Sequence, residues 1–374
     1  MITKLRGMTW DHPRGLDCLT SANEAITKLT GISIEWKARS LLDFGDQPLI
    51  EFYEEFDLII LDHPHVPDAV VAKTIIPFDG LLTPDQLAHL SNSSVGPSHD
   101  SYIYQGKQWA LAIDAAAQVS AYRPDLIQSP PTLWDDVLSL AKEGKVLWPH
   151  KPVDAFCSFA TLMAQFGSPL CSTNTFIDKQ TAEKAISFMI ELSQSVPSFC
   201  ATSNPIDIAE RLAEGSDYAV GVCMFGYSNY SRSNFRKNLL KYYQIPSFDG
   251  LARGSILGGA GVGISSASKN PELAARVAMA LCSPEIQVGD YLTGGGQPGD
   301  VSVWKDAKAN ELTADFFANT LTTLEGAWVR PRILGWPELQ FSVGNLLSKI
   351  LEIGAFTARD LQEIEDSYGE FIKE

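Results

Sequence analysis

The run Trp109-Ala110-Leu111-Ala112-Ile113-Asp114-Ala115-Ala116-Ala117-Gln118-Val119-Ser120-Ala121-Tyr122-Arg123-Pro124-Asp125-Leu126 decides how the chain is read. It consists of two apolar, extended stretches with one ionisable residue, Asp114, at their junction. An unpaired buried charge is costly. A carboxylate in that place therefore suggests a strand that crosses from one lobe to another and sets Asp114 into the cleft between them. The plainer alternative is a turn aspartate on an exposed loop, because Asp is a common turn former.

At 374 residues the chain exceeds the length over which one core keeps growing, so two lobes are the default. Apolar content of 45% and charged content of 20% are those of an ordinary globular protein. A net charge of -16 argues against nucleic acid or an anionic membrane surface as partner. No apolar run is long enough to suggest a membrane span. Met1 to Trp10 enters a strand-like run directly, with no basic segment, apolar stretch and small-residue cleavage site, so no secretory signal is expected there. The six cysteines (Cys18, Cys157, Cys171, Cys200, Cys223 and Cys282) form no CxxC pair, and several sit in apolar runs as small core residues. That usage suits a reducing compartment.

In chain order, residues 2–10 read as a strand, Thr20 to Thr30 as a helix closed by Gly31, and Ile32 to Lys37 as a second strand. Pro48 to Glu55 is expected to be helical, and Asp57 to Leu61 to be a nearly all-apolar strand. Apolar strands separated by helices indicate a parallel sheet covered on both faces. Ligands gather at the C-terminal ends of such strands. Here those ends carry Trp10-Asp11-His12-Pro13-Arg14 and Asp62-His63-Pro64-His65, with Asp114 ending the later run. A shared cleft is the expectation.

Farther on, Thr132 and Asp135 have capping-box spacing ahead of a helix that buries Trp134, Val137, Leu138 and Ala141. Residues 181–195 and 206–214 read as helices, and Tyr218 to Phe225 and Tyr242 to Ile245 as strands. Gly254 to Ile264 reads as a glycine-rich loop and strand, and Ser268 is expected to cap a helix over Pro271 to Cys282. After Gly294-Gly295-Gly296-Gln297-Pro298-Gly299 the chain reads as helical to the end, with Thr357 and Asp360 as another capping pair.

Four stretches in order resemble the family 1 extracellular solute-binding proteins of carbohydrate ABC transporters, the group that includes maltose-binding protein. Phe56 to His63 looks like the family's third strand and the sugar-contacting turn after it, and Trp109 to Leu126 like its first crossing between lobes. Gly261 to Ala274 is close to the signature of the return to the first lobe, and Arg330 to Trp336 to the segment before a late helix with a stacking aromatic. The resemblance implies an α/β, two-lobed periplasmic-binding-protein fold (type II-like). Each lobe would be a doubly wound mixed sheet with flanking helices, and the ligand cleft would lie between lobes. The expected lobes are 1–112 plus 254–298, and 113–253 plus 299–374. It further implies reversible, hinge-closing binding of a sugar or sugar derivative for an ABC permease, by a monomer outside the cytoplasm. A cytosolic enzyme or ligand sensor on the same fold is the alternative.

A sugar presents weakly polar C–H faces and rings of hydroxyls, which aromatic rings and charged or amide groups respectively recognise. Trp10, Tyr227 and Trp336 are the stacking candidates; Asp11, His12, Arg14, Asp62, His63, Asp114, Asn229 and the backbone at Gly259 are the polar ones. By resemblance Asp114 matches an acidic sugar ligand, Arg14 a basic residue after the first strand, and Tyr227 and Trp336 stacking aromatics. Arg14 leaves open whether the solute is neutral or an acidic sugar. Replacing Asp114 or Arg14 is expected to weaken binding without unfolding the chain.

His12, His63 and His65 beside Asp11 and Asp62 are also a possible transition-metal set, but no HExxH-type helix supports it and no metal is expected. Gly259-Ala260-Gly261-Val262-Gly263 precedes a strand, whereas a dinucleotide loop follows one. No cofactor is expected.

Overall fold

The computed structural model describes residues 3–40, 48–172, 174–215 and 217–371, so residue 2 of the expected first strand lies outside the described residues. The elements that position the functional residues are strands β1 (Thr3–Trp10), β2 (Ile32–Arg39), β3 (Leu58–Leu61), β4 (Ala110–Tyr122), β5 (Val146–Leu147), β6 (Val220–Phe225), β7 (Lys241–Tyr243) and β8 (Leu257–Ser265). The helices used below are α1 (Cys18–Thr30), α2 (Pro152–Gln165), α3 (Pro205–Glu214), α4 (Pro271–Leu281) and α5 (Trp336–Ile353). The chain divides into two compact units. One comprises Met1–Ala116, Gly258–Asn310 and Arg332–Leu334; the other comprises Ala117–Leu257, Glu311–Pro331 and Gly335–Glu374.

In the first unit β1 lies between β2 and β3 and is parallel to both, with Thr3 opposite Ile32 and Gly7 opposite Leu58. β8 runs antiparallel to β3, with Gly261 opposite Leu61. The sheet is therefore mixed. All four residues of β3 are buried, which is why its sequence is continuously apolar rather than alternating. Leu5, Ile34, Leu58, Ile60 and Val262 pack with Leu19, Ala22 and Ile26 of α1 and with Val277 and Leu281 of α4. α1 ends at Gly31, whose left-handed backbone (φ 74°) lets its N–H reach the carbonyl of Thr27.

In the second unit residues 118–122 of β4 pair antiparallel with β6, and Ser120 to Tyr122 with β7. β5 is parallel to β6, with Val146 opposite Val220. α3 opens with a reciprocal capping box between Asn204 and Asp207, and its Ile208 and Leu212 are buried.

Several expectations change. Pro48 to Glu55 forms two short 3-10 turns, Leu49–Glu51 and Tyr53–Glu55, broken at Phe52. Phe52 and Phe56 are buried in one core cluster with Met8, Ile59 and Val66, and that tertiary packing overrides the local helical tendency. Thr132 does not cap the next helix. Leu133 holds the cap position, and the Trp134 N–H donates instead to the Ser247 carbonyl at 3.1 Å. Nor does Ser268 cap α4: Asn270 holds the cap position without a side-chain capping bond, while the Ser268 hydroxyl donates to Asp57 at 2.6 Å. Residues 299–310, expected in the second lobe, pack in the first unit. There the Asp300 N–H donates to Gln287, the Trp304 indole donates to Pro298, and Val95 N–H donates to the Gly299 carbonyl.

Candidate functional site

The C-terminal end of β1 turns through Pro13–Asp17 directly into α1. His12 shapes that turn. Its ring Nδ1 accepts the Arg14 N–H at 3.1 Å, and its carbonyl accepts from Gly15 and Leu16. Gly15 is required there, because a Cβ would lie 2.5 Å from the Trp10 ring and from its carbonyl oxygen. Folding the turn down on Trp10 buries that indole and aims Arg14 at β4.

Arg14 meets Asp114 in a two-pronged pair. Its Nε donates to Oδ2 at 2.7 Å and its Nη2 to Oδ1 at 2.5 Å. Arg14 is 4% exposed and Asp114 1%. Burial pushes the Asp114 carboxyl up from its ordinary value, opposed by the Arg14 charge and by the Ala260 N–H, with Asp62 adding to the rise. Both oxygens nevertheless accept from the guanidinium fork, the arrangement of a carboxylate. Beneath the pair, the Cys18 thiol donates to the Arg14 carbonyl at 3.0 Å, and burial pushes that thiol well up, with Asp114 reinforcing it. Tyr291 hydrogen-bonds Cys18, and its hydroxyl is likewise pushed up by burial. Cys18 and Tyr291 are thus part of the cluster. Sequence reading missed them because one looked like core and the other has no motif.

Gly259 faces the same point of β4. It sits at φ 107°, and a Cβ there would lie 2.4 Å from the Asp114 carbonyl oxygen. Its role in the structure is this close approach of backbones. Gly259→Ala should destabilise the protein by about 2 kcal/mol and displace Asp114; a denaturation midpoint equal to that of the unmodified chain would refute the required approach.

Asp62 and His63 follow β3. The Asp62 carboxylate accepts the His63 N–H at 2.7 Å and lies 3.0 Å from its Nδ1. His63 is buried with its ring edge-on to Tyr102, whereas Asp62 is half-buried and Asp11 exposed. Trp10, Asp11, His12, Arg14, Asp62, His63, Asp114 and Gly259 therefore all belong to the first unit. Among the described residues, no group of three or more His, Cys, Asp or Glu side chains is placed to hold a metal.

Tyr227, Asn229 and Trp336 belong to the second unit. Tyr227 and Asn229 follow the end of β6 in a tight, buried turn, where the Asn229 carbonyl accepts the Arg232 N–H. The parallel neighbour β5 is followed by Trp148, whose ring stacks on His150 with centroids 4.5 Å apart. Burial lowers the His150 pKa, opposed by its bond to the Trp148 carbonyl. Trp336 is 0% exposed and sits edge-on to Phe156 and Phe176 at 6.1 and 6.3 Å. That geometry gives it a packing role. On the same helix Phe341 is 66% exposed.

No described helix is long and apolar enough to cross a membrane. Residues 53–319 match the model of the family described as bacterial extracellular solute-binding protein. A sequence comparison with curated proteins gives no match. Among solved structures, the maltose-bound MalE3 of T. maritima superposes with a TM-score of 0.84 at 18% identity, covering 98% of this chain and 99% of that one. A solute-binding protein of an ABC transporter from Thermotoga lettingae, bound with alpha-D-tagatose, gives 0.81 at 17% identity over 99% of both chains. One from Agrobacterium radiobacter in complex with ribitol gives 0.78 at 18% identity, over 99% and 98%. These likenesses show the fold, that of the periplasmic sugar-binding proteins. Family and neighbours alike are binding proteins rather than enzymes.

Proposed function

Because the chain belongs to the bacterial extracellular solute-binding protein family, matched over residues 53–319, we propose that it reversibly binds a saccharide or sugar alcohol as the substrate-binding component of an ABC importer. The observation that carries the reading is the convergence of the polar turns after β1 and β3 on Asp114, which lies within β4: Arg14 grips Asp114, and the Asp62 carboxylate lies close enough to raise the Asp114 pKa. Strand ends of this kind are where open α/β sheets take their ligands. Within this proposal the second unit would offer Tyr227 after β6 and the exposed Phe341 ring for a sugar face. The neighbours with bound maltose, tagatose and ribitol support this ligand class.

Micromolar binding requires about -8 kcal/mol, within reach of one stacked face and several desolvated hydrogen bonds. Closure of the two units on the solute follows in this proposal from contacts that are complete only when both engage it. The extracellular family implies work outside the cytoplasm, next to a permease.

The test is a thermal-shift screen against saccharides and sugar alcohols, because a ligand of the native state raises its melting temperature. At least one should raise it, and the same ligand should reduce the radius of gyration in small-angle scattering. Phe341→Ala should weaken that ligand about tenfold, or ~1.4 kcal/mol, without lowering the melting temperature of the unliganded chain. A screen with no shift from any sugar would end the proposal. Unaltered affinity in Phe341→Ala would remove that ring from the site.

A further inference from the structure

We propose that the Arg14–Asp114 pair, with Asp62 beside it, makes this chain discriminate against acidic solutes, so that its ligand is a polyhydroxyl compound without carboxylate, sulfate or phosphate. The inference rests on the saccharide reading above and adds the ligand's charge to it.

Arg14 is the cation that an anionic sugar would be expected to seek, since a guanidinium recognises a carboxylate or phosphate through two parallel N–H groups. In this chain Nε and Nη2 already make that fork on Asp114, and both partners are buried. Because Arg14 is 4% exposed, an incoming anion could reach the guanidinium's remaining N–H groups only by drawing it out of its contact with Asp114, leaving a buried carboxylate without its counter-charge, a loss comparable to breaking any buried ion pair. The neighbouring cation, Arg39 at the end of β2, lays its guanidinium over the Phe52 ring at 4.2 Å. Toward solvent, beside the half-buried imidazoles of His12 and His65 and the Arg39 guanidinium, these strand ends present two carboxylates: Asp11 is exposed and Asp62 half-buried. Such groups accept hydrogen bonds from hydroxyls and repel anions, and like charges brought together at a binding surface are strongly disfavoured. The same residues thus select for hydroxyl donors and against the oxidised or phosphorylated forms of the same sugars.

The test is isothermal calorimetry on the full chain with matched probes: glucose, galactose and ribitol against glucuronate, galacturonate, ribonate and glucose 6-phosphate, with maltose and tagatose as further neutral members. A neutral probe should bind, and its acidic counterpart should bind at least about tenfold more weakly. In Asp62→Asn, whose amide oxygen still accepts the His63 N–H, that gap should narrow because the acidic probe gains affinity. An acidic probe that binds as tightly as its neutral partner would overturn the inference and leave the saccharide reading standing. A gap unchanged in Asp62→Asn would overturn it as well. If no probe of either kind binds, the saccharide reading fails and this inference falls with it.

Discussion

Replacing Asp154 by asparagine should raise the stability of the protein at neutral pH and flatten the decline of its melting temperature between about pH 4 and pH 7. Asp154 lies in the first turn of α2 and is 3% exposed, and its Oδ2 has no hydrogen-bond partner. Around it α2 turns polar groups inward and satisfies them. Thr161 donates to the Gln118 amide oxygen at 2.7 Å, the Cys223 thiol donates to the same oxygen, and the Trp148 indole donates to Ser158. Asp154 alone in that company carries a charge. Burial pushes its carboxyl from 3.8 up to about 7, with Asp207 adding to the rise and Lys151 opposing it.

The sign follows from proton counting. Between the ordinary value and the native one, the folded chain holds a proton that the unfolded chain has released, so stability falls as pH rises through that window. The protonated form contributes fully below about pH 4, and its contribution is lost by about pH 7. The gap between the two values corresponds to roughly 4 kcal/mol, trimmed by up to ~1 kcal/mol because an anion is favoured in the first turn of a helix. Asparagine is neutral throughout and should recover most of it. Calorimetric melting temperatures of both proteins at pH 4, 5, 6, 7 and 8 supply the check. A lower melting temperature for Asp154→Asn at pH 7.5 would mean that the carboxylate is held by something stronger than its surroundings here, and the account would fail.

The elements that were legible in the sequence are those whose residues speak for their own environment. Leu58-Ile59-Ile60-Leu61 can only be a strand buried on both faces, and Gly31 after a periodic run can only close a helix there. Trp336 shows a signal misread. Trp336, Leu339, Val343, Leu347 and Ile350 are all buried on α5 and recur at helical spacing, so the pattern already placed the indole inside. Phe341 is five positions on, about 140° around the helix from Trp336, and its exposure follows from that phase. Other features depend on partners far along the chain. Nothing local announces that Leu133 rather than Thr132 will take the cap position, with Ser247 accepting the Trp134 N–H, or that Gln287 and Pro298 will hold residues 299–310 in the first unit. Asp114 was conspicuous as the lone charge in its run, and Arg14 as a cation at a strand end. Their mutual grip across 100 residues of chain was not.

That grip changes what substitutions at the pair should do. Both were expected to weaken ligand binding and leave folding intact, but with the pair this deeply buried each single change strands a charge. Arg14→Ala should destabilise the protein by about 3–5 kcal/mol at neutral pH, and Asp114→Ala by a similar amount. Their pH dependence should differ. In Arg14→Ala, burial acts on Asp114 with the opposing guanidinium gone, so its pKa rises further and the carboxyl can take up a proton. Its deficit should therefore shrink as pH falls below that raised value and grow as pH rises through it. In Asp114→Ala the stranded group is a guanidinium, which stays charged at every accessible pH; its deficit should not shrink on acidification. Arg14→Met combined with Asp114→Leu removes both charges and keeps apolar volume, so the double variant should be more stable than either single one. Denaturant titrations of the four proteins at pH 5 and pH 8 decide the matter. Single variants within about 1 kcal/mol of the unmodified chain would show that water reaches the pair. A double variant as unstable as the sum of the singles would show that Arg14 and Asp114 act on stability independently, which a two-pronged buried pair does not allow.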